Sequence, residues 1–210
     1  MDLHDFRTEY SSGRLSRNDL KTDPVLQFEK WFKQLNATDY KDPSSMIVAT
    51  SDQSGQPNQR YVLLKKFDQS GFVFFTDTSS TKGQEIAVNP QVSLLFPWHI
   101  YERQVRIKGV AKHLSVQEAD SYFHSRPIQS QLAAASSNQS AEIDSRQQLE
   151  KNFEALSTKL EGDVPRPERW GGYIVEPIEF EFWQGGEYRL HDRFRYTKSN
   201  QSWTIQRLQP

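Results

Sequence analysis

The chain has 210 residues, with 26 basic and 27 acidic side chains, 12% aromatic residues and no cysteine. A net charge of −1 lacks the electrostatic footprint of a general nucleic-acid binder, and without thiols there is no disulfide, thiolate-zinc or iron–sulfur site. No apolar run approaches the ~20 residues of a spanning helix, and the acidic, polar start Met1–Tyr10 does not read as a signal peptide, so a cytoplasmic protein is expected.

Residues 1–20 are polar, with Arg7, Tyr10, Arg14 and Arg17 standing out, and composition alone reads them as a frayed terminus. Asp23-Pro24 is a helix start, Asp as N-cap and Pro in the first turn, followed by an apolar stripe of Val25, Phe28, Trp31, Phe32 and Leu35. From Met46 the period drops to two. MIVATS (46–51) reads as a strand, DQSG (52–55) as a turn, and 59–67 as a second strand; another DQSG (68–71) then leads into GFVFFT (71–76). A short helix over 79–89 closes at Asn89-Pro90, and VSLLF (92–96) is short enough for a buried strand. Residues 104–110 alternate, with Val105 and Ile107 inward. A capping box, Ser115 to Glu118, opens a helix to Ser125, and a second helix covers 128–135. After a polar loop, residues 145–161 form a helix with Leu149, Phe153, Leu156 and Leu160 on one face; 162–172 reads as a loop. Strands at 173–179, 180–184 and 196–207, the last turning at Ser199-Asn200, finish one domain: an antiparallel sheet closing into a barrel with helices around it.

Several chemistries are missing. There is no Gly-x-Gly-x-x-Gly, Walker loop or Gly-x-Ser-x-Gly elbow, and the five histidines lack metal-ligand spacing, so no metal is expected. Any phosphate must then be held by side chains. Candidates are Arg60 and Lys65, which bracket YVLL; Thr76, Ser79, Ser80, Thr81 and Lys82, at a strand end and helix start; and Tyr122, Arg126 and Ser130, four apart across a helix junction. Each alone reads as a surface charge or a cap. Two phosphate-type clusters together suggest a cofactor and a substrate. Arg60 and Lys65 are five apart, so a regular strand puts them on opposite faces, and a bulge or a wrapped strand end is required for adjacent sites. In 179–194, an extended chain would put Arg189, His191 and Arg193 on one face beside Trp183, where the two guanidinium groups repel unless an anion or electron-rich ring lies between them. Glu179 and Glu181 read as the wet face of that strand.

The segments RTEY (7–10), RYVLLK (60–65), VSLLFPW (92–98), ERQV (102–105), YFHSRPIQSQ (122–131), NQS (138–140), WGGY (170–173) and EFWQGGEYRLHDRF (181–194) run in order over nearly the whole chain. With them the sequence resembles the FMN-dependent pyridoxine/pyridoxamine 5′-phosphate oxidase family. The resemblance implies a mainly β, split-barrel homodimer with peripheral helices and FMN in two interface clefts. Residues 1–20 would be an active-site lid and 21–210 a single FMN-binding domain. Arg60 and Lys82 would hold the FMN phosphate, with Thr76 and Thr81 nearby and Val62, Leu63, Lys65 and Phe75 lining the site. Gln104, Trp183 and Arg193 would contact the flavin ring, and Gln139 and Ser140 would reach in from the other subunit. Lys65, Tyr122, Arg126 and Ser130 would grip the substrate phosphate. Arg189 and His191, the implied catalytic pair, would flank the pyridine ring, Arg7 and Tyr10 would close over it, and Asp42 would lie near it. Thr81 and Phe75 stand where the family commonly has Arg and Tyr, which implies a weaker hold on FMN. The implied reaction takes hydride from C4′ of the phosphorylated vitamer to the flavin, and dioxygen reoxidises the flavin with release of hydrogen peroxide. The rivals are an FMN oxidase of another aromatic metabolite, as in phenazine-pathway relatives, and a flavin- or pyridoxal-phosphate-binding carrier without turnover.

Overall fold

The computed structural model describes residues 1–5, 9–160, 162–200 and 202–210. In chain order its elements are α1 (Pro24–Asn36), β1 (Ser45–Ser51), β2 (Pro57–Leu63), β3 (Lys66–Asp68), β4 (Gly71–Asp77), α2 (Thr81–Val88), β5 (Gln91–Trp98) and β6 (Arg103–His113). Then follow α3 (Val116–Ser125), α4 (Ile128–Ser136), α5 (Arg146–Leu160), β7 (Trp170–Gln184), β8 (Asp192–Ser199) and β9 (Ser202–Leu208). The hydrogen-bonded strand order is β2-β1-β5-β6-β7-β4-β3, with β8 on β7 and β9 on β8. A mainly β chain with peripheral helices was the expectation, and the described residues bear it out.

The chain divides into two compact units. The first comprises residues 1–48, 93–109 and 177–210; the second, 49–92 and 110–176. The core of the first is aromatic. Asp23 caps α1 by accepting from the N–H groups of Val25 and Leu26, which fixes the helix start. The 3.6-residue period then turns Val25, Phe28, Trp31 and Leu35 inward. Phe28 meets Phe96 and Trp98 of β5 at ring distances of 4.8 and 5.4 Å, and Trp31 packs edge-on to Phe182 of β7. Tyr196 of β8 is buried against Phe182, and its hydroxyl donates to the Lys21 carbonyl.

In the second unit β4 is buried on both faces and pairs antiparallel with β7, Phe72 opposite Val175 through Asp77 opposite Trp170. Phe123, Leu132, Val164 and Trp170 form a smaller core, against which the expected stripe of α5 packs through Phe153, Leu156 and Leu160. Leu149, expected on the same stripe, is exposed.

Several boundaries differ from the sequence reading. The strand expected over 59–67 is broken: β2 ends at Leu63, β3 starts at Lys66, and the Lys65 N–H pairs with Val73. The helix expected from Ser79 starts at Thr81, because Ser79 and Ser80 form a turn on Asp77. The expected 162–172 loop yields its last three residues to β7. The two strands expected over 173–184 are one, but its inward positions change parity. Tyr173, Val175 and Pro177 are buried, then Phe180, Phe182 and Gln184. The change falls at Pro177–Glu179, where proline removes a ladder donor.

Phe28 is fully buried among aromatic rings. Phe28→Ala is therefore expected to cost about 3–5 kcal/mol of stability, read as a lower urea midpoint; an unchanged midpoint would contradict the packing described.

Candidate active site

The break between β2 and β3 creates the main cavity of the second unit. Leu64 turns inward at the interruption, after which the Lys65 N–H bonds to Val73, so the parity that would separate Arg60 from Lys65 is lost and both line one space. That space, about 740 Å³, lies in the range of small-molecule sites. Val62, Leu63, Phe75, Thr76, Lys82, Tyr122, Arg126, Ser130 and Gln139 line it as well.

Lys82 sits in the first turn of α2 and is 6% exposed. Its Nζ donates to Thr76 Oγ1 (3.0 Å), Ser80 Oγ (3.1 Å) and Gln139 Oε1 (2.8 Å), all neutral acceptors. Burial, with Arg60 nearby, lowers its pKa to about 8, against the opposing pull of Asp77 and Glu85. Arg60 is held differently. Its Nη1 donates to Thr50 Oγ1 (2.5 Å) and its Nη2 to Glu85 Oε2 (3.1 Å). Burial alone would raise the Glu85 carboxyl, but hydrogen bonds from Thr50, Asn58 and Arg60 keep it below its ordinary value.

Across the cavity, Arg126 ends α3, and Pro127 bends the chain into α4, whose first turn carries Ser130. The Arg126 guanidinium lies 4.9 Å from the Trp170 ring centroid, and its Nη1 is buried without a hydrogen-bond partner. Burial depresses its pKa, with Tyr122 opposing, yet an arginine so shifted stays charged. Phe75 stacks on Tyr122 at 4.0 Å and lies parallel to Trp170 at 5.4 Å, giving the cavity an aromatic wall. Asp77 is the carboxylate among the lining residues, and Arg169 and Ser79 already engage it. Arg169 also donates to the carbonyls of Ala135 and Ser137, satisfying the end of α4 ahead of Gln139.

The first unit assembles a second cluster. Trp183 packs against His191 at 4.7 Å, and Tyr10 stands edge-on to both at 5.6 and 5.3 Å. The Arg189 guanidinium lies 5.5 Å from the Tyr10 ring centroid. The expectation of one extended strand face is overturned here. Glu187–Arg189 is a 3-10 turn, Tyr188 and Arg189 have φ of 56° and 65°, and β8 begins only at Asp192. The tightness of this turn explains Gly186, where an added Cβ would sit 2.4 Å from the Leu190 carbonyl oxygen. At Gly185 a Cβ would strike the Tyr10 ring at 2.8 Å. The His191 pKa is lowered, first by burial and then by Arg189 and Arg193. Its Nδ1 accepts from the Gly186 N–H at 3.2 Å, which leaves the proton of the neutral ring on Nε2.

Arg193 needs no ligand to neutralise it. Its Nε donates to Glu181 at 2.8 Å, and Glu181, read from sequence as solvent-facing, is 6% exposed and also pairs with Arg106. Glu179 is half-buried and pairs with Lys108.

Several expected residues stand apart. Arg7 lies outside the described residues. Thr81 and Ser140 are exposed and do not line the cavity. Asp42, with φ of 57°, accepts from the Ser45 N–H in an exposed turn. Gln104 is half-buried on β6. Gln139, expected from the other subunit, bonds to Thr76 and Lys82 of its own chain. Sequence reasoning missed Glu85, although its position three residues after Lys82 on one helix was a usable signal. It also missed Arg169, whose role depends on contacts between distant segments.

The second unit's cavity thus sets four cations beside an aromatic wall, a lining whose chemistry suits an anionic aromatic ligand. The family model described as Pyridoxamine 5′-phosphate oxidase matches residues 32–160, and the Pyridoxine 5′-phosphate oxidase C-terminal dimerisation region matches residues 170–210. The chain is 53% identical to "Pyridoxine/pyridoxamine 5′-phosphate oxidase" of Shewanella denitrificans over 210 residues, covering 100% of this chain and 99% of that one. It is also 53% identical to the protein so named from Teredinibacter turnerae, with 100% of each covered. Among solved structures, PhzG from Burkholderia lata in complex with tetrahydrophenazine-1-carboxylic acid superposes with a TM-score of 0.87 at 29% identity, over 93% of this chain and 98% of that one. A pyridoxamine 5′-phosphate oxidase-related, FMN binding protein from Nostoc punctiforme shares the fold at 14% identity, with a TM-score of 0.70 over 87% of this chain and 95% of that one. The chain belongs to the pyridoxamine 5′-phosphate oxidase family. Its match to the dimerisation region supports a homodimer. No helix among the described residues is long and apolar enough to cross a membrane.

Lys82 gives the cavity a pH dependence. Below about 8 it carries a charge and attracts anions; above, it is neutral. Sulfate, whose own charge is constant there, should bind more weakly as pH rises from 7 to 9 in calorimetric titration. Lys82→Met should flatten that slope, and a slope that survived would remove Lys82 as its cause.

Proposed function

We propose that the protein oxidises pyridoxine 5′-phosphate or pyridoxamine 5′-phosphate to pyridoxal 5′-phosphate using FMN and dioxygen. The alcohol and dioxygen yield the aldehyde and hydrogen peroxide; the amine consumes water as well and also yields ammonia. One observation carries the reading: Arg60 and Lys82 line the same cavity as Lys65, Tyr122, Arg126 and Ser130. Two sets of cations and hydroxyls suit two phosphate-bearing ligands.

The residues present fit FMN. The three N–H groups of Lys82 are engaged by neutral oxygens, which leaves its charge to attract a phosphate, and Arg60 keeps N–H donors beyond those bound to Thr50 and Glu85 for a direct grip. Thr76 and Gln139 steady Lys82, and Val62, Leu63 and Phe75 supply apolar contact. Gln104, Trp183 and Arg193 are assigned to the flavin ring, at a site formed in the dimer. FMN, when bound, supplies the acceptor for the substrate hydride and the route of two electrons to dioxygen.

The substrate phosphate is assigned to Arg126, Lys65, Tyr122 and Ser130, with the unpartnered Nη1 of Arg126 providing a donor already removed from water. Arg189 offers charge to the phenolic oxygen of the pyridine ring. His191, neutral near pH 7, presents Nε2–H as a donor and not a second cation. Tyr10, edge-on to Trp183 and His191, is assigned to cover the ring. With both ligands phosphorylated, the reaction belongs in the cytoplasm, where charged metabolites are retained.

An aromatic acid without a phosphate is the alternative suggested by the phenazine ligand of the Burkholderia lata structure, and the Arg126 set argues against it. Anaerobic pyridoxine 5′-phosphate should bleach the flavin band of the purified protein, and air should restore it. A bound flavin that stays oxidised would sink the oxidase reading. Arg126→Ala should raise KM roughly ten- to hundredfold with a smaller change in kcat, the loss of a charge-assisted hydrogen bond made in the ground state.

A further inference from the structure

Glu85 does not line the cavity, yet it fixes a cation that does. Three residues after Lys82, it projects from the same side of α2, and its side chain is 10% exposed. Oε2 accepts from Arg60 Nη2 at 3.1 Å and from Thr50 Oγ1; Oε1 accepts from Asn58 Nδ2 at 3.2 Å. Asn58 and Arg60 are two apart on β2, so one strand face delivers both donors, and Thr50 comes from β1. Thr50 accepts in turn from Arg60 Nη1 at 2.5 Å, closing a ring of bonds around one edge of the guanidinium. The remaining N–H groups of Arg60 are left for the cavity it lines.

We propose that Glu85 is a positioning residue for the cofactor phosphate: it holds the Arg60 guanidinium in its gripping orientation and so sets the preference for FMN over the same flavin without its phosphate. This rests on the FMN reading above. The carboxylate acts in two opposed ways. Its charge repels the phosphate, but only from behind Arg60, where the arginine largely offsets it. Orientation acts at hydrogen-bond distance, and a long side chain released from its anchor loses the geometry of a two-point grip. Positioning therefore dominates.

The test compares FMN and riboflavin dissociation constants, by quenching of flavin fluorescence, for wild type, Glu85→Ala, Glu85→Gln, Arg60→Ala and the Arg60→Ala/Glu85→Ala double variant. Glu85→Ala should weaken FMN by about tenfold and leave riboflavin unchanged. Glu85→Gln, which keeps an acceptor for Arg60, should stay within about threefold of wild type. In the Arg60→Ala background, Glu85→Ala should have no further effect. Equal weakening of both flavins, or a loss that persists without Arg60, would mean a general structural role and overturn the proposal. Undiminished FMN binding by Glu85→Ala would overturn it too, while the oxidase reading would stand. Wild-type protein that failed to bind FMN would instead overturn that reading and this inference with it.

Discussion

Arg60, Lys65, Lys82 and Arg126 are gathered around one cavity, and their mutual repulsion is the constraint that the second unit is built to satisfy. Each cation is handled separately. Arg60 has a carboxylate behind it, and Lys82 has a ring of neutral oxygens that shares its charge without cancelling it. Arg126 has an indole face, and Lys65 is left in water. Had carboxylates neutralised all four, the cavity would attract no anion. Among the described lining residues the one carboxylate, Asp77, is turned to structural use by Arg169, which also closes the end of α4. Charge remains available because the scaffold withholds counterions.

The first unit solves the opposite problem. Arg193 is neutralised at once by Glu181, and Arg106 shares that carboxylate, so the core edge of β7 and β8 is held by a closed ionic group. Among the described residues Arg189 has no carboxylate partner, and the 3-10 turn lifts it off the strand and sets it against Tyr10. Two consecutive left-handed residues, each costing on the order of 1–2 kcal/mol, accomplish that separation. Gly185 and Gly186 let the chain approach Tyr10 and fold back on Leu190.

Local chemistry was legible in the sequence wherever one residue determines the outcome. Asp23-Pro24, the Ser115–Glu118 box and the first DQSG turn all formed as read. So did the coincidence of Tyr122, Arg126 and Ser130 on one space, because a helix junction at Pro127 preserves their spacing. The period-two reading failed where regular strand is interrupted, at Leu64-Lys65 and at Glu187–Arg189. In both places the departure brings site residues to positions that a regular strand forbids. Glu181 was misread because alternation reports which side a residue faces, and not whether another strand supplies arginines to meet it. Thr81 illustrates a related limit. It matches a family position in the alignment of motifs, but its side chain is exposed at the start of α2, so Ser80, through Lys82, is the hydroxyl that serves the cavity.

The parity change within β7 has a consequence for how this chain can vary. Tyr173, Val175 and Pro177 depend on one alternation, and Phe180 through Gln184 depend on the other. A residue inserted or removed in either run would reverse every side chain as far as the next irregularity. The Pro177–Glu179 stretch is where such a change can be absorbed, since a strand that already alters its facing there has no regular register left to break. Length variation in this strand among descendants of the same ancestor should therefore collect at those three positions, and the runs on either side should evolve by substitution alone.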